Sequence, residues 1–210
     1  MFTGLVSDVG RIASAGGSEQ LRRVRIESGY DPATIALGAS IACSGPCLTV
    51  VGFGPLGRDG SWFDVDCAAE TLARTTVGAW REDMRLNLER SLKVGDELGG
   101  HLVTGHVDGV AEIVARDEVT GEGEWGPTAR FVLRAAPPLM RFIAEKGSVS
   151  LDGTSLTVNA VERDTFSVLL IPHTLAVTTW GERRAGDRIN LEVDLMARYA
   201  ARLVEAGQGG

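Results

Sequence analysis

Residues 40–50 read SIACSGPCLTV and residues 148–158 read SVSLDGTSLTV, so a chain of 210 residues writes nearly the same segment twice, with Cys47 in one copy and Ser155 in the other. Self-similarity at a fixed period decides the domain count before any local reading does. Working outward, FTGLV at 2–6 returns as VTGHV at 103–107, ETLARTT at 70–76 returns as HTLAVTT at 173–179, and NLE at 87–89 returns at 190–192. These landmarks keep their order and nearly their spacing, and the small differences read as loops of unequal length. The chain therefore divides into an N-half over 1–97, a C-half over 98–193 and a tail over 194–210, each half suiting one small domain.

Inside each half the pattern is mostly strand. LRRVRIES at 21–28, GSWFDVDC at 60–67, ARFVLRA at 129–135 and FSVLLIP at 166–172 are short β-rich runs, punctuated by turn residues such as Gly52, Gly57, Gly60 and Gly153. Many short strands in a chain with 27 glycines predict an all-β fold in which each half closes into a small antiparallel barrel, because closure removes exposed sheet edges. One short helix is expected in each barrel, beginning near Glu70 and Thr71 and again near His173 and Thr174, with the threonine as a cap. The tail, DLMARYAARLVEA from Asp194, sets Leu195, Met196, Tyr199, Ala200 and Leu203 on one helical stripe. That stripe packs either on its own barrel or on the same helix of other subunits.

Composition bounds the function classes. With 44% hydrophobic and 23% charged residues the chain is globular, and it has no apolar run near the length of a membrane span. A net charge of -7 and a pI near 5.0 disfavour nucleic acid and anionic membrane as partners. The opening MFTGLVSDVG lacks the basic start and apolar core of an export signal, so Cys43, Cys47 and Cys67 are read as reduced thiols of a cytoplasmic protein.

No glycine-rich phosphate cradle is present. The histidines at 101, 106 and 173 and the cysteines at 43 and 47 lack the short pair spacings of zinc sites, so no metal is expected. In GGHLVTGHVDG, at 99–109, His106 sits inside the repeated TG-x-V motif and is taken as functional, whereas His101 is read as a surface residue of a glycine-rich linker. Cys47 and Ser155 stand beside the same Leu-Thr-Val, as if each barrel held the same kind of ligand with one polar edge and one apolar face. Hydroxyls of Thr49 and Thr157, with strand amides, suit a uracil-like edge.

Taken together, MFTGLV, GASIACSGPCLTV, NLERSLKVGDELGGHLVTGHVDG, KGSVSLDGTSLTVN, IPHTLAVTTWG and NLEVDLMARY resemble the riboflavin synthase family of the alpha-chain type over nearly the whole chain. The resemblance implies two tandem, similar six-stranded Greek-key barrels followed by an oligomerisation helix, assembled as a homotrimer. It implies a dismutation in which two molecules of 6,7-dimethyl-8-ribityllumazine exchange a four-carbon unit, giving riboflavin and 5-amino-6-(ribitylamino)uracil without a cofactor. A surrounding lumazine synthase assembly is a further candidate partner. By motif, the N-barrel pocket takes Gly4, Leu5 and Val6, then Cys47, Leu48 and Thr49, then Asp66, Cys67, Ala68, Ala69, Glu70 and Thr71. The C-barrel pocket takes Gly105, His106 and Val107, then Lys146, then Ser155, Leu156 and Thr157, then Leu169, Leu170, Ile171, Pro172, His173 and Thr174. His106 is the expected proton-transfer group, Ser40 and Cys47 are expected to support nucleophilic addition, and Lys146 to stabilise negative charge or hold ribityl hydroxyls.

One departure is visible: His173 stands where many members carry Glu, while the first copy keeps Glu70. The alternative of a non-catalytic lumazine- or flavin-binding antenna protein of the same fold would shed such residues, yet Ser40, Cys47, His106, Lys146 and Ser155 are all present. A flavin reductase would need a nicotinamide-binding fold, for which 210 residues leave no room.

Overall fold

The structure is a computed structural model and describes residues 1–119 and 128–208; the last two residues of the expected tail lie outside the described part. The first barrel comprises β1 (Asp8–Gly17), β2 (Leu21–Ser28), β3 (Ser40–Cys43), β4 (Cys47–Pro55), β5 (Ser61–Ala68) and β6 (Arg85–Arg90). It closes antiparallel in the order β1-β2-β5-β4-β3-β6. The second comprises β7 (Gly109–Val119), β8 (Thr128–Arg134), β9 (Ser148–Leu151), β10 (Thr154–Glu162), β11 (Thr165–Leu170) and β12 (Arg188–Val193), and closes in the same relative order. In each, the last strand returns past three hairpin-linked strands to lie beside the first of them, which is the Greek-key connection. Even the irregularities repeat. Register shifts fall between Ile12 and Ser14 and between Ile113 and Ala115, and again between Val50 and Gly52 and between Val158 and Ala160. Such bulges bend a strand and let six strands close.

The period of two along each strand sorts side chains into a core and an outer face. Ile12, Val24, Ile26, Ile41, Leu48, Val50, Phe63, Val65, Leu86 and Leu88 fill the first barrel. Ile113, Phe131, Leu133, Val149, Leu151, Val158, Phe166, Val168, Ile189 and Leu191 fill the second. A tryptophan closes each core: Trp80 in the first, and in the second Trp180, whose ring meets Phe131 edge-on at 4.8 Å.

Two short helices follow β5 and β11, α1 (Ala69–Arg74) and α3 (Pro172–Val177), separated in sequence by α2 (Pro137–Met140). Thr71 and Thr174 lie inside α1 and α3 rather than capping them; Ala68 and Ile171 precede the helices without a side-chain cap. The capping threonines are the next ones along, Thr75 and Thr178, whose hydroxyls accept from Val77 and Trp180 N–H at the start of a following 3-10 turn. The tail forms α4 (Leu195–Gln208). Its Ala197, Arg198 and Ala201 are half-buried, whereas Met196, Tyr199 and Leu203 of the apolar stripe are exposed. Among the described residues no helix is long and apolar enough to cross a membrane.

The barrels meet along a seam with approximate twofold symmetry. Phe2 and Val103 pair antiparallel, N–H to O at 2.7 and 3.1 Å, and pack with Ala42 and Cys47. Asn87 donates to Asp152 O at 2.9 Å and accepts from Thr179 N–H at 2.8 Å. Asn190 reciprocates, donating to Ser44 O and accepting from Thr76 N–H, both at 2.7 Å. A buried amide making both bonds with good geometry fixes the docking angle as well as contributing energy.

Candidate active site

The two TG-x-V loops cross the seam. The carbonyl of Gly105, in the C-half, accepts from Cys47 N–H at 2.9 Å, and the carbonyl of Gly4, in the N-half, accepts from Ser155 N–H at 2.8 Å. Both glycines have φ of +76°, the left-handed region that glycine enters without penalty. A Cβ at Gly105 would stand 2.5 Å from Cys47 Cβ, and one at Gly4 would stand 2.6 Å from Ser155 Cβ. Each candidate pocket is therefore composite, one barrel supplying the start of an LTV strand and the other half supplying the loop that covers it.

The first pocket is a cleft of about 490 Å³ lined by Cys47, Glu70, Thr71, Gly105, His106 and Val107, with Asp108 and Arg198 at its edge. Strand parity turns Cys47 and Thr49 outward, and Ser40 pairs with Thr49 across the ladder, so these three share the outer face. Asp66 is held by a two-pronged contact from Arg23 at 2.7 and 2.8 Å, which keeps its carboxyl below the usual carboxylate range. Ala68 and Ala69 are exposed beside it. His106 is exposed at the rim. Arg198 on α4 bonds Asp108 at 2.9 Å, so the tail helix is tied to the segment carrying His106.

The second pocket repeats this construction around Ser155 with different chemistry. Ser155 Oγ lies 2.7 Å from Nδ1 of His101, and burial holds that imidazole below the ordinary histidine pKa. Where the first barrel has Asp66, Ala68 and Glu70, the second has Leu169, Ile171 and His173 at the matching positions, all three exposed.

A family model of the lumazine binding domain matches residues 3–91 and again 104–194. Riboflavin synthase of Brucella abortus (strain 2308) is 55% identical over 205 residues, 98% of each chain. The chain belongs to the riboflavin synthase family. The riboflavin synthases of Mycobacterium tuberculosis (strain ATCC 25618 / H37Rv) and Bacillus subtilis (strain 168) are 42% and 33% identical, covering 98% and 97% of this chain and 99% and 90% of theirs. Solved structures of LumP complexed with 6,7-dimethyl-8-(1'-D-ribityl) lumazine and with riboflavin match with TM-scores of 0.72 and 0.76. At 21% identity over 92% of this chain and 99% of theirs, they speak for the fold alone. As a riboflavin synthase family member the chain is an enzyme.

Against that family background, several sequence-based placements change. Gly4, Leu5 and Val6 do not join Cys47, nor Gly105, His106 and Val107 join Ser155; the loops are exchanged. Leu48, Cys67 and Leu170 point into the barrel cores, and Leu156 packs partly against the second core, so only their backbones face a ligand. Pro172 and Thr174, both half-buried, lie on the first turn of α3. Ser40 lines a separate groove of about 550 Å³ that it shares with Leu5, Glu89 and Lys93. Lys146 is exposed, with φ of +64°, and its N–H bonds Val158 O at 2.8 Å, at the far end of the β9–β10 ladder from Ser155. His101, read from sequence as a surface residue, is half-buried on Ser155. A Cβ at Gly100 would collide with the Thr3 carbonyl, so this linker is packed rather than free, and nothing in the glycines themselves signals it in sequence. Among the described residues no three His, Cys, Asp or Glu side chains gather as a metal site.

The three cysteines should differ in reactivity. Cys43 and Cys67 are buried, and desolvation pushes the Cys43 thiol far up and the Cys67 thiol up to about 11. Iodoacetamide near pH 8 should therefore modify Cys47 alone in the native protein, with all three modified after denaturation. Mass spectrometry of the digested product reads this directly.

Proposed function

We propose that the chain performs the riboflavin synthase dismutation on two molecules of 6,7-dimethyl-8-ribityllumazine, one bound in each composite pocket. The observation that carries this reading is the seam-crossing pair of contacts, Gly105 to Cys47 and Gly4 to Ser155, which builds two like pockets in one chain. A reaction that consumes two copies of one substrate needs two similar sites, and it needs them unequal so that one molecule donates the four-carbon unit and the other accepts it. The repeated contacts supply the likeness, and the exchanges of Cys47 for Ser155 and of Glu70 for His173 supply the inequality.

The chemistry requires loss of a proton from the 7-methyl group of one lumazine and activation of the other ring as acceptor by nucleophilic addition. In the second pocket, His101 in the tautomer with Nδ1 unprotonated would accept the Ser155 hydroxyl proton across their 2.7 Å contact, which suits Ser155, or a water it holds, to that addition. In the first pocket His106 is the proton-transfer group beside Cys47, and Thr49 offers a hydroxyl farther along the same outer face, where Ser40 opens into the neighbouring groove. Stacking the two rings within about 3–3.5 Å turns a bimolecular encounter into an oriented one and supplies much of the rate. That stacking brings the N-barrel of one subunit against the C-barrel of its neighbour in a homotrimer. The exposed stripe of Met196, Tyr199 and Leu203 on α4 is the surface that gathers the subunits.

Incubating the protein with the ribityllumazine as sole substrate tests the reading. Two lumazines consumed per riboflavin formed, measured by chromatography, is the expected result; binding without turnover would overturn it in favour of an antenna protein.

The His101 environment also sets a pH dependence. Because burial depresses its folded pKa, the unfolded chain takes up a proton first as pH falls below about 6.5. The stability this imidazole contributes is present above that value and lost below it. Activity should persist to a lower pH than an ordinary histidine allows, and His101→Gln should lower the rate and remove that acid limb. An unchanged pH–rate profile in the variant would exclude His101 from the proton chemistry.

A further inference from the structure

The NLE motif recurs in both halves, and its three residues divide three tasks. Leu88 and Leu191 fill the cores, and Asn87 and Asn190 lock the seam. The glutamates remain. Glu89 and Glu192 are 7% and 3% exposed on the last strand of each barrel. Each grips a TG loop with three bonds. Glu89 accepts from Thr3 N–H at 2.6 Å, Thr3 Oγ1 at 2.7 Å and Gly4 N–H at 2.9 Å. Glu192 accepts from Thr104 N–H at 2.8 Å, Thr104 Oγ1 at 2.7 Å and Gly105 N–H at 2.9 Å. Among the described residues no lysine, arginine or histidine pairs with either carboxylate, so backbone amides and one hydroxyl carry the whole interaction. A carboxylate with three such donors is a strong, geometrically defined clamp.

Neither loop serves the barrel that grips it. The loop held by Glu89 presents the Gly4 carbonyl to Ser155 and the Thr3 carbonyl to His101 N–H, at 2.8 and 3.1 Å, both in the second pocket. The loop held by Glu192 presents the Gly105 carbonyl to Cys47 and carries His106, both in the first pocket. We infer that Glu89 and Glu192 are positioning residues acting crosswise: Glu192 of the C-barrel shapes the pocket at Cys47, and Glu89 of the N-barrel shapes the pocket at Ser155. Each barrel thus sets the covering loop of the other's ligand site. This deepens the proposed lumazine chemistry of the same pockets, but its test does not depend on turnover.

The test uses the Cys47 thiol as a local reporter on the full-length protein. Glu89 shares a barrel with Cys47 and Glu192 does not, so a local role and a crossed role make opposite forecasts. Glutamine at either position keeps the shape but turns an acceptor into a donor facing an N–H. In Glu192→Gln the covering loop loosens, and the rate of Cys47 alkylation by iodoacetamide should rise about tenfold, the equivalent of one lost charge-assisted hydrogen bond. In Glu89→Gln that rate should stay at the parent value. Thr104→Val, which removes only the hydroxyl bond, serves if Glu192→Gln does not fold, and it should raise the Cys47 rate by a smaller factor. With lumazine as substrate, both glutamine variants should raise KM more than they lower kcat, and Glu192→Asp should recover part of the loss.

An effect of Glu89→Gln on Cys47 without one from Glu192→Gln would overturn the crossed assignment. So would equal effects from both, or no effect from either Glu192→Gln or Thr104→Val. If the protein proves not to turn over lumazine, the thiol rates still decide the crossing.

Discussion

Replacing Gly105 with alanine should lower the dismutation rate about a hundredfold, the size of effect that a displacement of about 1 Å at a reacting pair produces. Two penalties coincide at this position. The left-handed φ of +76° disfavours any residue with a Cβ, and the added carbon would stand 2.5 Å from Cys47 Cβ and 2.7 Å from Cys47 N. The second penalty is the one that reaches the chemistry, because a Cβ driven against the Cys47 Cβ and backbone is relieved only by moving the loop that carries His106. Gly186 separates the two. Its φ is +91° but a Cβ there meets nothing within 4 Å, so Gly186→Ala should reduce stability by about 1–2 kcal/mol and leave the rate near that of the parent. Steady-state rates and thermal midpoints of the two variants make the comparison. Equal rates in both would mean that close approach at Cys47 is irrelevant to turnover.

Phe2→Ala should be the most destabilising single change at the seam, by about 3–5 kcal/mol, the usual range for a buried aromatic truncated to alanine. Phe2 is fully buried and packs between the barrels against Ala42 and Val103, with Cys47 beside them. Its neighbours in sequence are Thr3 and Gly4, which reach the second pocket, while its partner Val103 adjoins Thr104 and Gly105, which reach the first. One cavity therefore disturbs both sites. Denaturant unfolding should show a lowered midpoint, and ribityllumazine binding should weaken at both sites together. Loss at one site only would show that the seam does not couple them. By contrast Leu203→Ala, on the exposed stripe of α4, should leave the unfolding of the single chain nearly unchanged and, in the proposed trimer, weaken subunit association instead.

The repeat made the architecture readable. LTV, TG-x-V and NLE recur in order, short strands break at glycines, and two like barrels with a tail helix follow from that pattern. Inward and outward positions are readable too wherever parity is applied: Cys67 shares its parity with Phe63 and Val65 and is core, which breaks the contiguous ligand-facing run from Asp66 to Thr71 that motif matching implies. What the sequence does not encode locally is which barrel a loop will touch. Gly4 and Cys47 stand in the same half, yet Gly4 meets Ser155, because loop and strand start are separated by a seam that forms only when both halves dock. His101 was missed for the same reason. Its partner, Ser155, lies in a different repeat landmark, and flanking glycines that serve close packing look the same in sequence as glycines that serve a linker.

A crystal structure with riboflavin bound is the direct test of the proposal that each ligand site is built from both halves of one chain. Flavin is expected against the outer face of Cys47 and Thr49, with contacts in the same pocket from Gly105, His106 or Val107 of the same chain. A flavin held at Cys47 by Gly4, Leu5 and Val6, with 105–107 elsewhere, would contradict it.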